Sequence, residues 1–452
     1  MKVTVIGCGL RTPLLVHGLA HSGLGIAELH LFDTEPERST LMAAIGGDIA
    51  KDSGMKVVSA REREPAIDGA TFVISSFRVG GMESRARDER LTLDHGFAGQ
   101  ETTGPVGLAM ALRTIPEAID LARLVERRAP RAWIVNFTNP AGLITQSITT
   151  HTGARVVGIC DTPAELFFRI SLALEKRLEQ LEFDYIGLNH LGWVRSVRES
   201  GRDITGSLLK DDARIQALYP TKLFESALIR ALGLVPTEYL FFYYEAATAL
   251  KNQRSAGATR GEELLRLNEG LLSEMSKDVA AGRLSCALET YRRYLNRRNA
   301  SYMKLEGSAE SALSIPEPDW NPFEGATGYH RIAVEAMRAL TSPTPIRMVL
   351  NVRNQDTLSQ LAREDVIEAP CAVDQDGPRP LPTAPLPEVV AGLLLAVKNY
   401  ERLAIRAAVE KSAALAALAL FINPIVGNWS AARELISALR ESDPCYLGYL
   451  GN

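Results

Sequence analysis

The chain has 452 residues, of which 46% are hydrophobic and 23% charged, a composition typical of a folded globular protein with two or three domains. Its 50 Lys and Arg residues against 54 Asp and Glu residues give a formal net charge of −4, which argues against nucleic acid or an anionic membrane surface as the main partner. No apolar run reaches the ~20 residues that cross a bilayer, and the first predicted strand begins at Lys2, so we expect a cytoplasmic protein without a membrane span or a signal peptide.

The first 190 residues alternate between predicted strands and helices. Short apolar runs predict strands at 2–7, 29–33, 71–76, 132–137 and 155–159, and helical spacing predicts helices at 13–21 and 37–49. Repeated strand–helix–strand units are typical of a doubly wound parallel sheet with helices on both faces. The sequence therefore predicts an α/β, Rossmann-like domain over residues 1–192.

A short glycine loop joins the first strand to the first helix. Gly7 and Gly9 allow a tight turn and the close approach of a pyrophosphate, which the N-terminus of the following helix would stabilise. Thr12 stands where the usual pattern has a third glycine. Asp33, at the end of the second strand, can accept hydrogen bonds from a ribose and would repel a 2′-phosphate, which favours NAD over NADP. Arg11 either reaches the pyrophosphate or points to solvent.

The five cysteines are widely scattered and odd in number, so a disulfide framework is not expected. Cys160 ends a predicted strand at the carboxyl edge of the sheet, where doubly wound folds bind their ligands, and His190 follows 30 residues later in a loop-like segment. One thiolate and one imidazole would form an incomplete metal site, open to substrate hydroxyls and water. On these residues alone, a buried cysteine and a core histidine are the more common interpretation.

Beyond Asn189 the pattern changes to longer helices with few strands. Helices are predicted at 223–232, 261–279, 387–410 and 412–421, and strands at 346–353 and 366–373, with a proline-rich connector over 378–385. We interpret residues 193–452 as an α+β domain for substrate binding and oligomerisation, which completes the site of the first domain. Its apolar carboxyl-terminal helices either pack internally or form a subunit interface.

Several longer segments carry a recognisable family pattern. They lie at 78–116, 136–145 (NFTNPAGLIT), 157–163 (VGICDTP), 187–193 (GLNHLGW), 238–244 (EYLFFYY), 259–264 (TRGEEL) and 350–370. Together with the glycine loop they resemble glycoside hydrolase family 4, the NAD- and divalent-metal-dependent glycosidases. The resemblance covers nearly the whole chain and implies an architecture like that of lactate and malate dehydrogenases.

The resemblance implies that the chain hydrolyses a small-molecule glycoside without the usual pair of carboxylates. In this family NAD⁺ takes a hydride from C3 of the sugar, and a metal ion such as Mn²⁺ polarises the resulting ketone. A base then removes the C2 proton, the aglycone leaves, water adds, and NADH returns the hydride. By the same resemblance Cys160 and His190 would hold the metal ion, and the protein would be a homodimer or homotetramer.

The base in this family is a tyrosine, and Tyr239 best fits its place. Tyr243 and Tyr244 in the same segment are alternatives, and the third possibility is that all three are aromatic packing. Asp161, next to the metal cysteine, would be the general acid for the leaving group. Its alternative role is to cap the helix that follows.

The remaining assignments concern cofactor and substrate contacts. We assign the NAD site to Gly7, Gly9, Thr12, Asp33, Ser76 and Asn136. We assign substrate contacts to Arg78, Asn139, Asn189 and Arg260. Arg260 resembles a family position near the C6 phosphate of the sugar, and its alternative role is an i, i+3 salt bridge with Glu263. Glu101 is expected to support the loop of the active site.

Two departures from the family pattern leave the substrate open. Many phospho-β-glucosidases have Cys-Asn where this chain has Cys160-Asp161, and Cys-Asp resembles the phospho-α-glucosidases. The KRGG-x-x-Y segment usual among phospho-β members is replaced here by residues 296–302. The anomer and the need for a 6-phosphate therefore stay open at this point.

Two other functions are compatible with the predicted fold. One is a net NAD-dependent dehydrogenase of a 2-hydroxy acid or a sugar, because fold does not fix function. The other is a non-catalytic nucleotide-sensing protein. The Cys160 and His190 pair favours the glycosidase over both.

Overall fold

The computed structural model describes residues 1–304, 306, 321, 323–325 and 327–451, which include every predicted site residue. The amino-terminal half alternates strands and helices, as predicted. Its strands are β1 (Lys2–Ile6), β2 (Glu28–Phe32), β3 (Lys56–Ala60), β4 (Phe72–Ser75), β5 (Trp133–Asn136) and β6 (Arg155–Gly158). Its helices are α1 (Thr12–Ala20), α2 (Pro36–Ala50), α3 (Arg63–Ile67), α4 (Gly81–Asp94), α5 (Gly104–Arg128), α6 (Ala141–His151) and α7 (Thr162–Ala173).

These six strands are parallel and lie in the order β6-β5-β4-β1-β2-β3, so the predicted doubly wound sheet is confirmed. The sequence analysis did not find β3, whose side chains are only half-buried at the edge of the sheet. Loops at the carboxyl ends of β1, β4, β5 and β6 open on one edge, where ligands bind in folds of this type.

The carboxyl-terminal half contributes seven strands and twelve helices within the described residues. The strands are β7 (Leu181–Leu188), β8 (Leu191–Glu199), β9 (Arg202–Asp203), β10 (Val235–Pro236), β11 (Ile346–Arg353), β12 (Val366–Asp374) and β13 (Gly377–Pro380). The helices are α8 (Thr205–Leu209), α9 (Asp212–Gln216), α10 (Ser226–Leu232), α11 (Phe241–Tyr244), α12 (Ala246–Ala256), α13 (Arg260–Ala280), α14 (Leu284–Ala300), α15 (Tyr329–Ala339), α16 (Glu388–Val409), α17 (Ala413–Ile422), α18 (Trp429–Ser442) and α19 (Pro444–Leu447).

The strands of the second half extend the first sheet instead of forming one of their own. β11 pairs antiparallel with β6 at Asn351 and Gly158, and β12 pairs with β7 at Glu368 and Gly187. Among the described residues, all thirteen strands belong to this one sheet. The boundary between residues 192 and 193 falls inside β8, and the division into two domains stays a prediction.

Two hydrophobic clusters fill the space between the sheet and its helices. One is built from the apolar faces of helices such as α5, α6 and α16, and the other from those of α1, α2, α14 and α15. These clusters fix the sheet edge on which the predicted site residues lie. Across the described part of the chain, no helix is both long and apolar enough to cross a membrane.

Candidate functional site

The glycine loop between β1 and α1 is shaped by the neighbouring strand. Gly7 has φ +94°, and a Cβ there would lie 2.6 Å from the carbonyl oxygen of Ser76, so only glycine fits this close approach. Nothing lies within 4 Å of the position that a Cβ on Gly9 would take. The amide of the buried Thr12 donates to the Gly9 carbonyl at 3.0 Å and starts α1. The loop therefore has open space where the sequence predicts a pyrophosphate.

Asp33 lies half-buried at the end of β2 and ties this strand to the loop. Its Oδ2 accepts from the amide of Cys8 at 2.7 Å, and its Oδ1 accepts from the amide of Glu35 at 3.0 Å. Each carboxylate oxygen keeps acceptor capacity for a ribose hydroxyl. The Cys8 thiol donates inward to the Phe32 carbonyl at 3.4 Å, and burial raises its pKa. The Cys8 amide is therefore engaged by Asp33, and its thiol belongs to the core.

The two strand-end residues assigned to the cofactor differ in how far they are buried. Ser76 is half-buried, and its amide donates to the Ile6 carbonyl at 2.8 Å. Asn136 is fully buried: its Oδ1 accepts from Ser75 at 2.7 Å, and its Nδ2 donates to Thr145 Oγ1 at 3.2 Å, besides other contacts in the same loop. The side chain of Asn136 therefore holds the loop after β5 instead of facing the cleft.

His190 lies in the tight turn between β7 and β8, with φ +61° and 4% of its surface exposed. Its Nδ1 is 2.6 Å from Thr102 Oγ1, and that hydroxyl donates its proton to Gln100 Oε1 at 2.9 Å. Because a hydroxyl has only one proton, Thr102 accepts from the Nδ1–H of His190, which leaves Nε2 unprotonated. Burial lowers the pKa of His190 to about 4, so the imidazole is neutral and can bind a metal ion at neutral pH.

Tyr239 contacts one of the two predicted metal ligands directly. Its ring stacks on that of His190, with centroids 3.9 Å apart and planes 11° from parallel. Its phenol is also within electrostatic range of Cys160, the buried residue that follows β6. Of the three candidate tyrosines in this segment, only Tyr239 stacks on His190. Tyr244 instead accepts from Trp193 Nε1 at 3.1 Å, and Tyr243 packs against the core.

The Cys160 thiol has a pKa well above its ordinary range. Burial is the main cause, and the charges of Glu368 and Asp161 add to it. The thiol would therefore ionise only when a cation binds. Within the described residues no group of three or more His, Cys, Asp and Glu side chains could hold a metal ion. A thiolate and a neutral imidazole are donors that a divalent metal ion accepts, and the assignment of Cys160 and His190 as its ligands stays a prediction.

The phenol of Tyr239 is close to two other ionisable groups, the phenol of Tyr302 and the carboxyl group of Glu238. Its oxygen is 3.3 Å from that of Tyr302, which is 3.0 Å from Glu238 Oε1. Burial raises the pKa of Glu238 to about 7. Burial and the charge of Glu238 together raise the pKa of Tyr239 well above its ordinary range. Tyr239 therefore needs a neighbouring cation before it can serve as a base.

Asp161 precedes α7 and faces two residues that the sequence analysis did not place here. Its side chain makes no capping hydrogen bond, so the alternative role as a helix cap is not borne out. The hydroxyl of Tyr329 acts on its carboxyl electrostatically, and the Arg11 guanidinium lies 3.6 Å from the centroid of the Tyr329 ring. Burial raises the pKa of Asp161, and the charge of Arg11 opposes this effect. Arg11 thus lies over the Tyr329 ring and near Asp161 instead of pointing freely to solvent, and its contact with a pyrophosphate stays a prediction.

Glu101 supports the site as expected, through two arginines. It accepts from Nη2 of Arg78 and, at 2.6 Å, from Nη1 of Arg85. These charges lower its pKa far below the usual range despite its burial. Arg85 also donates from Nε to Oε1 of Glu89 at 2.8 Å. Oε2 of Glu89 in turn accepts from the amide of Gly261 at 2.6 Å. The assigned substrate residue Arg78 is therefore already paired with a carboxylate.

The same series of contacts, from Glu101 through Arg85 to Glu89, positions the N-terminus of α13, where Arg260 lies. The Arg260 guanidinium donates to the carbonyl of Arg298 at 2.9 Å and lies 3.4 Å from Glu263, so the i, i+3 contact is also present. The pKa of Arg260 is lowered by burial and by the nearby charges of Arg298 and Arg85. Among the described residues Arg298 makes no ion pair. Several positive charges thus converge on one side of the cleft.

Asn139 and Asn189 lie on neighbouring loops. Asn139 follows β5, is half-buried, and makes no side-chain hydrogen bond within the described part of the chain. Asn189 donates from Nδ2 to Glu368 Oε1 at 3.2 Å. Glu368 is 1% exposed, and burial raises its pKa to about 7. Sequence analysis missed Glu368, Thr102, Tyr302 and Tyr329, because nothing in their local patterns separates them from ordinary strand and loop residues.

Comparison with known proteins identifies the family and the fold of the chain. A model described as "Family 4 glycosyl hydrolase" matches residues 2–175, and one described as "Family 4 glycosyl hydrolase C-terminal domain" matches residues 185–426. The structure of the 6-phospho-beta glucosidase from Thermotoga maritima with manganese, NAD⁺ and glucose-6-phosphate is 26% identical, with a TM-score of 0.80 and coverage of 99% of each chain.

Two further proteins show which properties the comparison leaves open. The phospho-alpha-glucosidase PagL of Clostridium acetobutylicum is 26% identical over 98% of each chain, so relatives of both anomeric types match. A lactate dehydrogenase from a deep-sea metagenome library is 13% identical with a TM-score of 0.53, covering 90% of this chain and 98% of its own. That likeness confirms the predicted dehydrogenase-like fold and carries no more than the fold.

Proposed function

The chain belongs to family 4 of the glycosyl hydrolases, and we propose that it hydrolyses a 6-phosphorylated glucoside with NAD⁺ and a divalent metal ion such as Mn²⁺. The observation that carries the proposal is the arrangement around His190. Thr102 favours the tautomer that leaves Nε2 free, and Tyr239 stacks on the same imidazole and lies within electrostatic range of Cys160. This arrangement supports the proposal that His190 and Cys160 hold the metal ion and that Tyr239 is the base beside them.

When bound, NAD⁺ removes and later returns a hydride at C3 of the sugar, and the metal ion polarises the oxygen at that carbon, so that the C2 proton becomes acidic. Tyr239 then accepts this proton at its phenolic oxygen. Its raised pKa makes it a poor base alone, but a cation held by Cys160 would lie within electrostatic range and lower that pKa. Proton removal is thus coupled to metal loading.

Asp161 is the group we assign to the leaving aglycone. Its raised pKa favours the protonated form, which a general acid must have at the start of the step. The hydroxyl of Tyr329 acts on the carboxyl electrostatically, and Arg11 limits how far the pKa rises. The acid and the base are then separate groups, as elimination requires.

The arginines beside α13 support a phosphate at C6. Arg260 is held by Ser301 and the Arg298 carbonyl, and its only carboxylate neighbour within 4 Å in the described chain is Glu263 at 3.4 Å. Repulsion among Arg260, Arg298 and Arg85 would be relieved by a dianion. Arg298 stands in the segment that replaces the family's KRGG motif, so that segment still supplies a cation.

A panel of glucosides tests this proposal. We expect turnover of α- or β-linked glucosides that carry a 6-phosphate, with Mn²⁺, NAD⁺ and a reductant that protects the Cys160 thiol. The anomer that reacts settles that choice. Matched glucosides without the phosphate are the controls, and equal turnover of both sets would remove the phosphate from the proposal. Turnover that survives removal of both metal and NAD would contradict the whole mechanism.

The role of Tyr239 has its own test in the exchange of the C2 hydrogen. We expect the wild-type protein to exchange this hydrogen with deuterated solvent and Tyr239→Phe to lose about 10²- to 10⁴-fold of that rate. Phenylalanine keeps the stacking on His190, so binding should persist. Tyr244→Phe is the matched control. Exchange that continues in Tyr239→Phe would assign the base elsewhere.

The dehydrogenase alternative predicts a different product balance. A glycosidase of this type returns its hydride, so NADH does not accumulate, whereas a net dehydrogenase forms one NADH for each substrate consumed. Tight NAD binding without any turnover would instead favour a nucleotide sensor. The Cys160, His190 and Tyr239 cluster supports the glycosidase, since neither alternative has a use for all three.

Oligomerisation also belongs to the proposal. Leu418 and Phe421 on α17 and Trp429 on α18 are about 40% exposed, and Phe421 packs edge-on against Trp429. The opposite side of α17 is buried against α16 and α18, so internal packing accounts for that side of the helix and leaves the exposed side for a subunit interface. We propose that this apolar face joins subunits of a homodimer or homotetramer, which light scattering would measure. A cytoplasmic location stays a prediction.

A further inference from the structure

Glu368 is a fully buried carboxyl group that the proposed chemistry does not use. It lies on β12, with 1% of its surface exposed. Its Oε2 accepts from the hydroxyl of Tyr185 at 2.7 Å, and its Oε1 accepts from Nδ2 of Asn189 at 3.2 Å and from Nδ2 of Asn351 at 3.0 Å. Burial of a carboxyl group is costly unless such bonds satisfy it, so three donors from three elements indicate a specific role.

The position of the network ties it to the site. Glu368 and Gly187 pair where β12 meets β7, and Asn351 and Gly158 pair where β11 meets β6. Asn189 directly precedes His190 in the turn after β7. A Cβ on Gly142 would lie 2.9 Å from the Cβ of Asn189, so the side chain of Asn189 is also confined from the α6 side.

These contacts decide which end of the Asn189 amide faces the cleft. Oε1 of Glu368 accepts two amide N–H groups, and it does so whether or not a proton resides on Oε2. The Nδ2 group of Asn189 must therefore face Glu368, and Oδ1 is turned the other way. In the described part of the chain Oδ1 accepts no hydrogen bond, and it is absent from the buried polar atoms that lack a partner. It is thus an accessible acceptor.

We propose that Glu368 is a positioning residue that locks the Asn189 amide with its oxygen towards the cleft, so that Asn189 accepts a hydrogen bond from a substrate hydroxyl. This inference rests on the proposed function for the identity of the ligand. The orientation itself rests only on the network of Glu368, Asn351 and Tyr185.

A donor swap tests the orientation. Asn189→Asp puts two carboxyl groups face to face, and we expect it to weaken binding of glucose 6-phosphate by more than about tenfold near pH 8. In the double variant with Glu368→Gln, the glutamine amide can donate to one oxygen of the new carboxylate at position 189. The other oxygen of that carboxylate still faces the cleft. Asn351 can turn its amide so that Oδ1, which is buried without a partner, accepts from the glutamine. The double variant should therefore recover binding to within about fivefold of wild type.

The controls separate orientation from stability. Asn399→Asp, an exposed substitution on α16, should leave binding unchanged, and thermal unfolding must show that each variant is folded. Glu368→Gln alone should retain most of the binding, because its amide can accept from both asparagines and donate to Tyr185. A folded double variant that binds no better than Asn189→Asp would overturn the proposal.

A second measurement works without any sugar. In protein labelled with ¹⁵N-asparagine, the side-chain amide signal of Asn189 is identified by its loss in Asn189→Asp. We expect its protons to exchange with solvent at least about tenfold faster in Glu368→Met than in wild type. Unchanged exchange would overturn the orientation. If wild type binds no glucose 6-phosphate, the proposed function fails while this measurement still decides the inference.

Discussion

The nucleotide side and the sugar side of the cleft are built in different ways. On the nucleotide side, Gly7, Gly9 and Asp33 lie within 27 residues of each other and act through backbone geometry and backbone amides. On the sugar side, the decisive contacts join residues far apart in the chain: Thr102 with His190, His190 with Tyr239, and Asn189 with Glu368. The first side should tolerate side-chain changes that would disable the second.

The largest effect is expected from the metal pair on the sugar side. Cys160→Ser should lower kcat/KM by at least about 10³-fold, because a serine hydroxyl is a far weaker ligand than a thiolate for a metal held by only two side chains. The dissociation constant for NAD, measured by fluorescence titration, should stay within about twofold. The matched control is Cys286→Ser, an exposed cysteine on α14. A parallel loss of NAD affinity would mean that the two sides are not independent.

Removing a cation from the phosphate side of the cleft should have a smaller effect. Arg260→Gln should raise KM for a 6-phosphoglucoside about 10- to 100-fold, as expected for one charge-assisted contact of about 1.5–3 kcal/mol. The KM for NAD should not change. Arg297→Gln, an exposed neighbour of Arg298, serves as the control. Equal effects of both variants would point to a general electrostatic field instead of a contact.

On the nucleotide side we expect a milder response. Asp33→Ala removes the acceptor for the Cys8 and Glu35 amides and for a ribose, so the KM for NAD should rise about tenfold while discrimination against NADP falls. kcat at saturating NAD should remain near that of wild type. Asp52→Ala, an exposed change after α2, is the comparison. A collapse of kcat would show that the loop also positions the sugar.

The smallest effect concerns stability near the nucleotide side. His330, on α15, packs against Gly18 of α1, and burial lowers its pKa from 6.5 to about 4. The unfolded chain therefore binds a proton below about pH 6.5 that the folded chain takes up only near pH 4. His330 should therefore take away roughly 1 kcal/mol of the free energy of unfolding between about pH 7.5 and 5.5, measured by urea unfolding as the difference between wild type and His330→Gln. His330→Gln should lose that part of the dependence, and a full dependence in the variant would contradict the assignment.

The features that could be predicted from the sequence are those that depend on local patterns, which are most common on the nucleotide side of the cleft. The parallel strands, the glycine loop and Asp33 follow from local apolar runs and short spacings. Cys160, His190 and Tyr239 were predicted through the family resemblance; the structure stacks Tyr239 on His190 and puts Cys160 within electrostatic range of Tyr239, and their roles stay predictions. None of these required knowledge of which distant strands pair.

The residues that the sequence does not predict are those whose surroundings depend on which distant strands and loops come together. Glu368 is one acid in a strand-like run, and only the pairing of β12 with β7 and β11 shows that it is buried between two asparagines. Thr102 becomes informative only once His190 is known to lie beside it. The Tyr329 ring at the start of α15, over which the Arg11 guanidinium lies, could not be predicted from the local pattern around Arg11. Asn136 was expected at the cofactor, but the loop after β5 uses its amide.

The continuity of the sheet determines how the two halves behave as folding units. A fragment that ended at residue 192 would leave β6 with an open edge and would cut β8 near its start. An unpaired edge strand of this kind favours aggregation. The remaining half would keep β11 and β12 without the parallel strands that they extend. Each half is therefore expected to fold only in the presence of the other, so that the cofactor and sugar sides are gained or lost in one cooperative transition.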